Sequence, residues 1–516
     1  MQQSQSKQQV GGILGFIERI GNKIPDITIL FISAFLLVCV VSAVLAQIHF
    51  NYVHPATGRP IEITNMLSGK ALVDLMSKMV TNYANFPPLS MVIVATLGIG
   101  IADGSGYINT GLKKILSITP KVLITPVVIL VGMLSHLGPD SGYVIIIPIA
   151  AYMFYAVGKH PLAGIAASFA GIAGAFAANY TPSAIDPVIQ GFTQSAAQII
   201  DPGYQVNVLC NYFYAFASTF IVIGACWWVT EKITNPWLWK ACPLDDDLDL
   251  GNENNSSITP SENRAFKIAT AVLLLMLTGL AAALYPGDSI LRAPDGVIAS
   301  FKAPIMQSIV SLIFIFAALV GLVYGIACGK FKSPKDVTAA MEEITKTLVQ
   351  LIVFYFFAAQ FLYAFGASNM GALIAVSGAE FLKSLNLPPQ VTVFGIIVFV
   401  ALLNLIITSA SAKWAILAPI FVPMLMAVGI APELTQVAFR VSDSAVNVVT
   451  PMFAFYPLII LYCQKYVKNA GIGTLSSMML PYTIALLVSL TFMLYLFWWL
   501  DIPLGFQADY VYPRRF

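Results

Sequence analysis

Apolar residues fall along the chain in runs that have the length of helices crossing a bilayer. A helix needs about 20 mostly apolar residues to span the hydrocarbon core. Six runs have about that length, at positions 27–48, 212–229, 265–285, 304–327, 348–365 and 479–500. A seventh run, 90–102, is shorter and continues into a Gly-rich stretch. This pattern predicts an all-α polytopic membrane protein.

Four further apolar regions are interrupted by Gly, Pro and polar residues. They are 122–157, 162–199, 393–428 and 434–461, with breaks expected at 135–142, 179–187, 408–413 and around 442–451, respectively. Backbone that leaves a helix at membrane depth is tolerated only where protein or a water-filled cavity satisfies its polar groups. We interpret 122–157 and 393–428 as re-entrant hairpins and the other two regions as broken helices. The four breaks are therefore expected to meet around one site.

Two segments, 148–161 and 419–432, align without gaps and are identical at seven of fourteen positions. The identities include a Gly-x-x-Pro pattern, formed by Gly158 and Pro161 in one segment and by Gly429 and Pro432 in the other. Chance similarity between two apolar helices is the alternative. The shared spacing, and the broken helix that follows in both places, favour an internal repeat of the kind found in transporters.

Charge predicts the topology. If each hairpin returns to its own side and each broken helix crosses once, the chain has nine transmembrane helices plus two re-entrant hairpins. With a cytoplasmic N-terminus, 17 of the 27 Lys and Arg residues lie inside, 8 lie outside, and 2, Lys413 and Arg440, lie within the membrane. This excess favours that orientation. Five spans then separate the hairpins, so that 122–157 faces the cytoplasm, 393–428 faces outside, and the repeats are inverted.

The predicted organisation has four parts. They are a cytoplasmic N-terminal segment 1–26, a first repeat half 27–230, a cytoplasmic linker 231–264 and a second repeat half 265–516. Inverted repeats of this kind are the architecture of alternating-access transporters, which hold substrate and ions near the midplane.

Composition excludes several classes of protein. Apolar residues make up 58% of the chain and charged residues 10%, against roughly 45–50% and about 25% in soluble proteins. Membrane lipid is therefore the expected surroundings, and a net charge of +2 gives no reason to expect a nucleic-acid partner. The six cysteines have no CxxC spacing, which argues against a zinc or disulfide framework.

Ionisable side chains at bilayer depth are costly, so each one is a candidate functional residue. Arg440, Asp443 and Asn447 have the spacing of one helix face. The planar fork of Arg440 suits a carboxylate, and Asp443 can hold a cation or a proton or receive an amine. The alternative is an Arg440–Asp443 pair that only neutralises itself.

Asp186 lies at the matching break of the first repeat. It is a candidate cation or proton site, or else a helix-end carboxylate at the aqueous boundary. His136 and Asp140 are expected at the tip of the first hairpin, where either side chain can titrate during transport, or Asp140 can cap the half-helix that follows.

The second hairpin tip supplies the remaining candidates. Ser409 and Ser411 are expected to cap its returning half-helix, whose N-terminal dipole favours an anion. Trp414 follows within one turn and can stack on an aryl ring, although packing alone would also explain it. Asn404 can offer an oxygen to sodium or bond to a neighbouring helix.

Three sequence stretches resemble a known family. They are FIERIGNKIP at 16–25, SAKWAILAPIFVPM at 411–424 and FRVSDS at 439–444, and they resemble the AbgT family of p-aminobenzoyl-glutamate transporters. The resemblance implies a homodimer of nine-span subunits, each with two hairpins, in a bacterial inner membrane. It also implies transport of p-aminobenzoyl-glutamate or related p-aminobenzoate and sulfonamide aryl compounds, coupled to a proton or sodium gradient. No other cofactor is expected.

By matching motif, the implied binding residues are those that the resemblance carries onto this chain: Asp186, Asn404, Ser411, Trp414, Pro432, Arg440, Asp443 and Pro451. Asp186, Asn404 and Asp443 are the candidates for sodium. A dicarboxylate or other organic-anion transporter, or a sodium/proton exchanger, of the same architecture is the alternative. The chain has no HExxH or GxSxG motif, which argues against an intramembrane enzyme.

Overall fold

The computed structural model describes residues 25–54, 58–135, 142–245, 258–300 and 302–513. Its helices are α1 Ile27–Leu45, α2 Gly69–Ala84, α3 Pro87–Ser105, α4 Tyr107–Ser117, α5 Ile124–Leu134, α6 Ile147–Ala156, α7 Pro161–Ala173, α8 Ile185–Ala197, α9 Tyr212–Val229, α10 Asn235–Ala241, α11 Pro260–Leu284, α12 Pro304–Gln307, α13 Ile309–Cys328, α14 Pro334–Ala367, α15 Met370–Ser384, α16 Pro389–Asn404, α17 Ala410–Met426, α18 Pro432–Val446, α19 Tyr456–Gln464 and α20 Ile472–Trp499. Within these described ranges, β pairing is limited to two isolated bridges. The all-α fold is confirmed.

Among the described residues, seven stretches of helix are long and apolar enough to cross a membrane, and each contains or overlaps one of the seven uninterrupted runs in the sequence. Some of these helices extend well beyond their runs: α14 begins at Pro334, although its apolar part starts only near Leu348. Two bent helix pairs, each of which includes the first arm of a hairpin, bring the number to nine if each pair is one span. These pairs differ from the two broken helices, 162–199 and 434–461, that complete the nine predicted spans. The polytopic membrane class predicted from the sequence is therefore confirmed.

The internal repeat extends over five elements. In each copy a helix is sharply bent against the first arm of a hairpin, by 120° between α4 and the arm containing α5, and by 116° between α15 and α16. The second hairpin arm and two halves of a broken helix then follow: α6, α7 and α8 in one copy, α17, α18 and α19 in the other. The aligned Gly158 and Gly429 both adopt a left-handed backbone, with φ of 79° and 89°. The aligned Pro161 and Pro432 both occupy the first turn of the next helix.

The two repeats interlock. Within each copy, the first half of the broken helix packs on both hairpin arms: α7 on α5 and α6, and α18 on α16 and α17. The second half crosses over, so that α8 packs on α17 of the other copy and α19 packs on α6. Gly171 allows α7 to approach α5 closely, since a Cβ there would lie 2.5 Å from the Ile129 carbonyl oxygen. Small residues at such crossings are typical of membrane helix packing.

The opposite orientation of the two repeats across the membrane stays a prediction. It places residues 118–121, before the first hairpin, on the cytoplasmic side and residues 386–388, before the second, on the outer side. Single cysteines introduced at these loops into a cysteine-free chain are expected to react with an impermeant maleimide from opposite sides. Labelling of both loops from one side would contradict the inverted arrangement.

Three predicted breaks are placed differently in the structure. The break expected at 408–413 lies between Asn404, where α16 ends, and Ala410, where α17 already begins, so residues 410–413 are helical. The break around 442–451 begins only at Asn447, because α18 continues to Val446. Ser442 and Ser444 do not interrupt it, since their hydroxyls donate back to the carbonyls of Ala438 and Arg440 within the helix. In the first repeat α8 begins at Ile185, so Asp186 and Pro187 lie in its first turn, where proline is tolerated.

The predicted cytoplasmic linker, 231–264, is helical at both ends. After α9 a π-helical turn, Thr230–Thr234, leads into α10, and α11 already begins at Pro260. Thr259 explains this early start, because it forms a capping box with Glu262. The helices α4 and α15 were not predicted, because the apolar runs in their sequences are too short for a span.

Candidate functional site

The breaks of both repeats converge, as expected. The Ser444 hydroxyl of α18 accepts a hydrogen bond from Ala177 N in the first break at 2.6 Å. Thr450 in the second break donates to the Leu405 carbonyl at the second hairpin tip at 2.8 Å. Tyr143, beside the first hairpin tip, stacks on Phe455 of the second break with ring centroids 4.2 Å apart.

A cavity of about 330 Å³ lies where these breaks face a separate group of helices. One wall comes from the repeats, through Tyr143, Phe176, Ser183 and Ser411 among others. The opposite wall belongs to α3 and α14, including Tyr355. The lining is mainly apolar and aromatic with a few hydroxyl groups, which is typical of a small-molecule site.

Arg440 pairs with Asp186 and not with Asp443. Its Nη1 lies 2.7 Å from Asp186 Oδ1, and the two side chains are 4% and 13% exposed. Nη2 donates to the Phe176 carbonyl at 3.2 Å, and the guanidinium lies over the Phe176 ring. The Ser183 backbone N–H and hydroxyl donate to Asp186 Oδ2 at 2.7 and 2.9 Å. The pair thus joins the two repeats directly behind the cavity wall that Phe176 and Ser183 form.

Asp443 pairs with Lys413, which sequence analysis placed in the membrane but did not count as a site residue. Both side chains are fully buried, and Lys413 Nζ lies 2.5 Å from Asp443 Oδ1. Lys413 also donates to Asn404 Oδ1. Asn404 Nδ2 donates to the Asp443 carbonyl at 2.8 Å and to Asn447 Oδ1 at 3.1 Å. The signal that could have found Lys413 is its charge at the hairpin tip, two residues after Ser411.

Trp414 lies inside the protein wall in this conformation. Its ring stacks on Phe439 with centroids 4.5 Å apart, and its Nε1 donates to Thr193 on α8 at 2.9 Å. Packing therefore accounts for this residue here. Ser409 caps α17 by accepting from Ala412 N, whereas Ser411 is not a cap and lines the cavity.

Pro432 and Pro451 lie where the backbone enters or leaves a helix. Pro432 opens α18, eight residues before Arg440 and so about 12 Å from it along the helix. Pro451 lies in the second break, two residues after Val449. His136 and Asp140 lie outside the described residues.

Tyr355 of α14 is a site residue that sequence analysis missed. It is fully buried, lines the cavity, and its hydroxyl has no hydrogen-bond partner among the residues that the structure describes. Buried hydroxyl groups are nearly always hydrogen-bonded, so this one is available for a ligand. Nothing in the local sequence marks it, because it belongs to an aromatic-rich transmembrane run.

Paired hairpins, broken helices that cross over between two repeats, and buried charges beside a central cavity define a polytopic membrane transporter. The family model of the AbgT putative transporter family matches residues 12–512. The chain therefore belongs to the AbgT family, and the resemblance stated from its motifs is confirmed.

Individual relatives agree over nearly the whole chain. The p-aminobenzoyl-glutamate transport protein of Escherichia coli (strain K12) is 32% identical over 99% of this chain and 98% of its own length. The crystal structure of the Alcanivorax borkumensis YdaH transporter, described as having an unusual topology, matches with a TM-score of 0.87 and 37% identity over 93% of this chain and 100% of that chain. The structure of Neisseria gonorrhoeae MtrF, described as illuminating a class of antimetabolite efflux pumps, matches with a TM-score of 0.90 and 39% identity over 96% and 100%.

Proposed function

We propose that this protein is a secondary active transporter of p-aminobenzoyl-glutamate or related p-aminobenzoate and sulfonamide aryl compounds. It works in a bacterial inner membrane, with a cytoplasmic N-terminus and as a homodimer, and couples transport to an ion gradient. The named relatives support the substrate class, since one transports p-aminobenzoyl-glutamate and another represents antimetabolite efflux pumps.

The observation that carries the proposal is the central cavity beside two buried ion pairs. Its volume of about 330 Å³ lies at the lower end of the roughly 300–1,000 Å³ of small-molecule sites. Its aromatic lining suits an aryl ring. Arg440, whose guanidinium lies directly behind Phe176, suits the glutamyl carboxylates, because a planar guanidinium can donate two parallel hydrogen bonds to one carboxylate. A carboxylate that reaches Arg440 replaces the Asp186 carboxylate, which connects substrate binding to the contact between the repeats.

Reconstituted transport tests the proposal. The full chain in proteoliposomes is given radiolabelled p-aminobenzoyl-glutamate under a proton gradient alone and under a sodium gradient alone. We expect saturable, gradient-dependent flux that unlabelled sulfonamide competes away. Flux of a dicarboxylate without flux of any aryl compound would instead favour the organic-anion alternative, and exchange of sodium against protons with no organic substrate would favour the exchanger.

Replacing Tyr355 by Phe is expected to weaken binding of p-aminobenzoyl-glutamate about tenfold. The substitution removes only the unpartnered hydroxyl, and a hydrogen bond to a charged ligand contributes about 1.5 kcal/mol. Tyr324→Phe is the matched control, because the Tyr324 hydroxyl is also buried but bonds to Thr110 away from the cavity. Ligand affinity measured by isothermal calorimetry should change only for Tyr355→Phe, and equal affinity of that variant and the wild type would contradict the assignment.

Replacing Trp414 by Ala is expected to weaken aryl ligands about fivefold more than N-acetylglutamate, if the indole contributes an aromatic contact of about 1 kcal/mol during transport. The variant also loses packing on Phe439, so its stability falls by about 3–5 kcal/mol. Trp414→Phe keeps an aromatic face but loses the bond to Thr193, and separates the two effects. Equal loss of affinity for both ligand types would leave Trp414 with packing alone.

A further inference from the structure

The three residues expected to hold sodium already have cationic or hydrogen-bonding partners within the protein. Asp186 Oδ1 contacts Arg440 and its Oδ2 accepts from Ser183. Asn404 Oδ1 and Asp443 Oδ1 both contact the Lys413 ammonium. Asp443 Oδ2 accepts from Asn447 Nδ2 at 3.2 Å. Each of these side-chain oxygens therefore faces a cation or a hydrogen-bond donor, and for Asp443 Oδ1 that partner is the ion pair with Lys413 alone.

Sodium is a hard cation and needs several oxygen ligands around it, as calcium and magnesium do. The described part of the chain contains no group of three or more His, Cys, Asp and Glu residues that could hold a metal ion. At Asn404 and Asp443 the ligand type is suitable, but an ion there would lie against the Lys413 ammonium. Like charges repel strongly in a buried, weakly polar environment. The residues present thus do not fit sodium while Lys413 is charged and in place.

Lys413 supplies a positive charge at this position from within the chain. It is fully buried at the tip of the second hairpin, and its ammonium also lies 5.8 Å from the centre of the Phe439 ring. A buried carboxylate such as Asp443 needs a compensating positive charge. A cation tethered by the chain supplies it at a high effective concentration, independently of the salt in solution.

We infer that the Lys413 ammonium takes the place of a coupling sodium ion between Asn404 and Asp443. This chain consequently binds no sodium there, and the organic substrate moves without a sodium requirement from this site. Removing the ammonium leaves Asn404 Oδ1 and Asp443 Oδ1 facing a space in which sodium and water can enter. Lys413→Ala therefore converts the position into a sodium site.

Binding of radioactive sodium to the purified full chain tests the inference directly, with choline replacing unlabelled sodium to keep ionic strength constant. Wild type and Lys413→Arg, which retains a cation, are expected to show no saturable binding. Lys413→Ala is expected to bind about one sodium ion per chain, because a single carboxylate is left unpaired. Its melting temperature should rise with sodium concentration, as for any ligand that binds only the folded state. The double variant Lys413→Ala with Asp443→Asn should lose both effects.

Saturable sodium binding by the wild type that Asp443→Asn removes would overturn the inference. So would a folded Lys413→Ala variant that binds no sodium. If Lys413→Ala does not elute as a single species, Lys413→Gln is used in its place, since glutamine can still donate to Asn404. A flux measurement with p-aminobenzoyl-glutamate in sodium-free buffer rests on the proposed function. Its failure at all sodium concentrations would count against that function and leave the binding result unchanged.

Discussion

Replacing Asp443 by Ala is expected to abolish transport of p-aminobenzoyl-glutamate. The substitution leaves the fully buried Lys413 ammonium without its carboxylate, and breaking a buried ion pair costs about 3–5 kcal/mol of stability. It also removes the acceptor that holds the Asn447 amide, and Asn447 Oδ1 in turn accepts from Asn404 of α16, so the contact between α16 and the end of α18 is weakened. Flux into proteoliposomes and the melting temperature of the purified protein are the measurements.

The double variant Lys413→Ala with Asp443→Ala separates the two roles of the pair. It contains no buried unpaired charge at this position, so its melting temperature is expected to return towards the wild-type value. Transport should nevertheless stay absent, because the charge that the site uses is missing. Full transport by Asp443→Ala, or restored transport in the double variant, would show that the pair serves stability only.

Replacing Arg440 by Ala is expected to reduce affinity for p-aminobenzoyl-glutamate by about a hundredfold. That factor corresponds to about 3 kcal/mol, the upper range for hydrogen bonds to a charged group. Arg440→Lys keeps the charge but loses the fork, so it should recover only part of the loss. Affinity for p-aminobenzoyl-glutamate, compared with its uncharged diester, shows whether the lost contact was to carboxylates.

Replacing Asp186 by Asn is the control, because it is expected to change the affinity for p-aminobenzoyl-glutamate in the opposite direction. If Asp186 holds Arg440 until a ligand carboxylate arrives, removal of its charge should tighten binding of p-aminobenzoyl-glutamate. The same variant should slow its release, because the protein's own carboxylate no longer competes. Weaker binding by Asp186→Asn would contradict this exchange of partners and favour direct contact between Asp186 and the substrate.

The sequence was sufficient for those features that depend on local pattern. Apolar length located six of the seven long helices and a shorter run located the seventh, and the Gly158 and Gly429 alignment revealed a repeat that the two left-handed turns confirm. The sequence was misleading where polar residues lie inside a continuous helix and where a helix is short. Ser442 and Ser444 looked like a break but bond to their own helix, and α4 and α15 are too short to be recognised as apolar spans.

The candidate residues could be predicted largely because charge is rare at bilayer depth. The residues with which they pair could not be predicted. Arg440 and Asp443 share a helix face, and their spacing allowed a pair with each other. Tertiary packing instead brings Arg440 to Asp186 of the other repeat and Asp443 to Lys413 of the hairpin. These contacts join residues 254 and 30 positions apart, and no local pattern encodes them.

The crossing over of α8 and α19 has a consequence for how the chain is assembled. The second half of each broken helix packs on a hairpin arm from the other half of the chain, so each half depends in part on the other to bury its polar tips. Two separately expressed fragments, divided between residues 245 and 258, are expected to be degraded individually and to accumulate as a working pair when produced together. The two halves can therefore complete their packing only after the second hairpin has been synthesised.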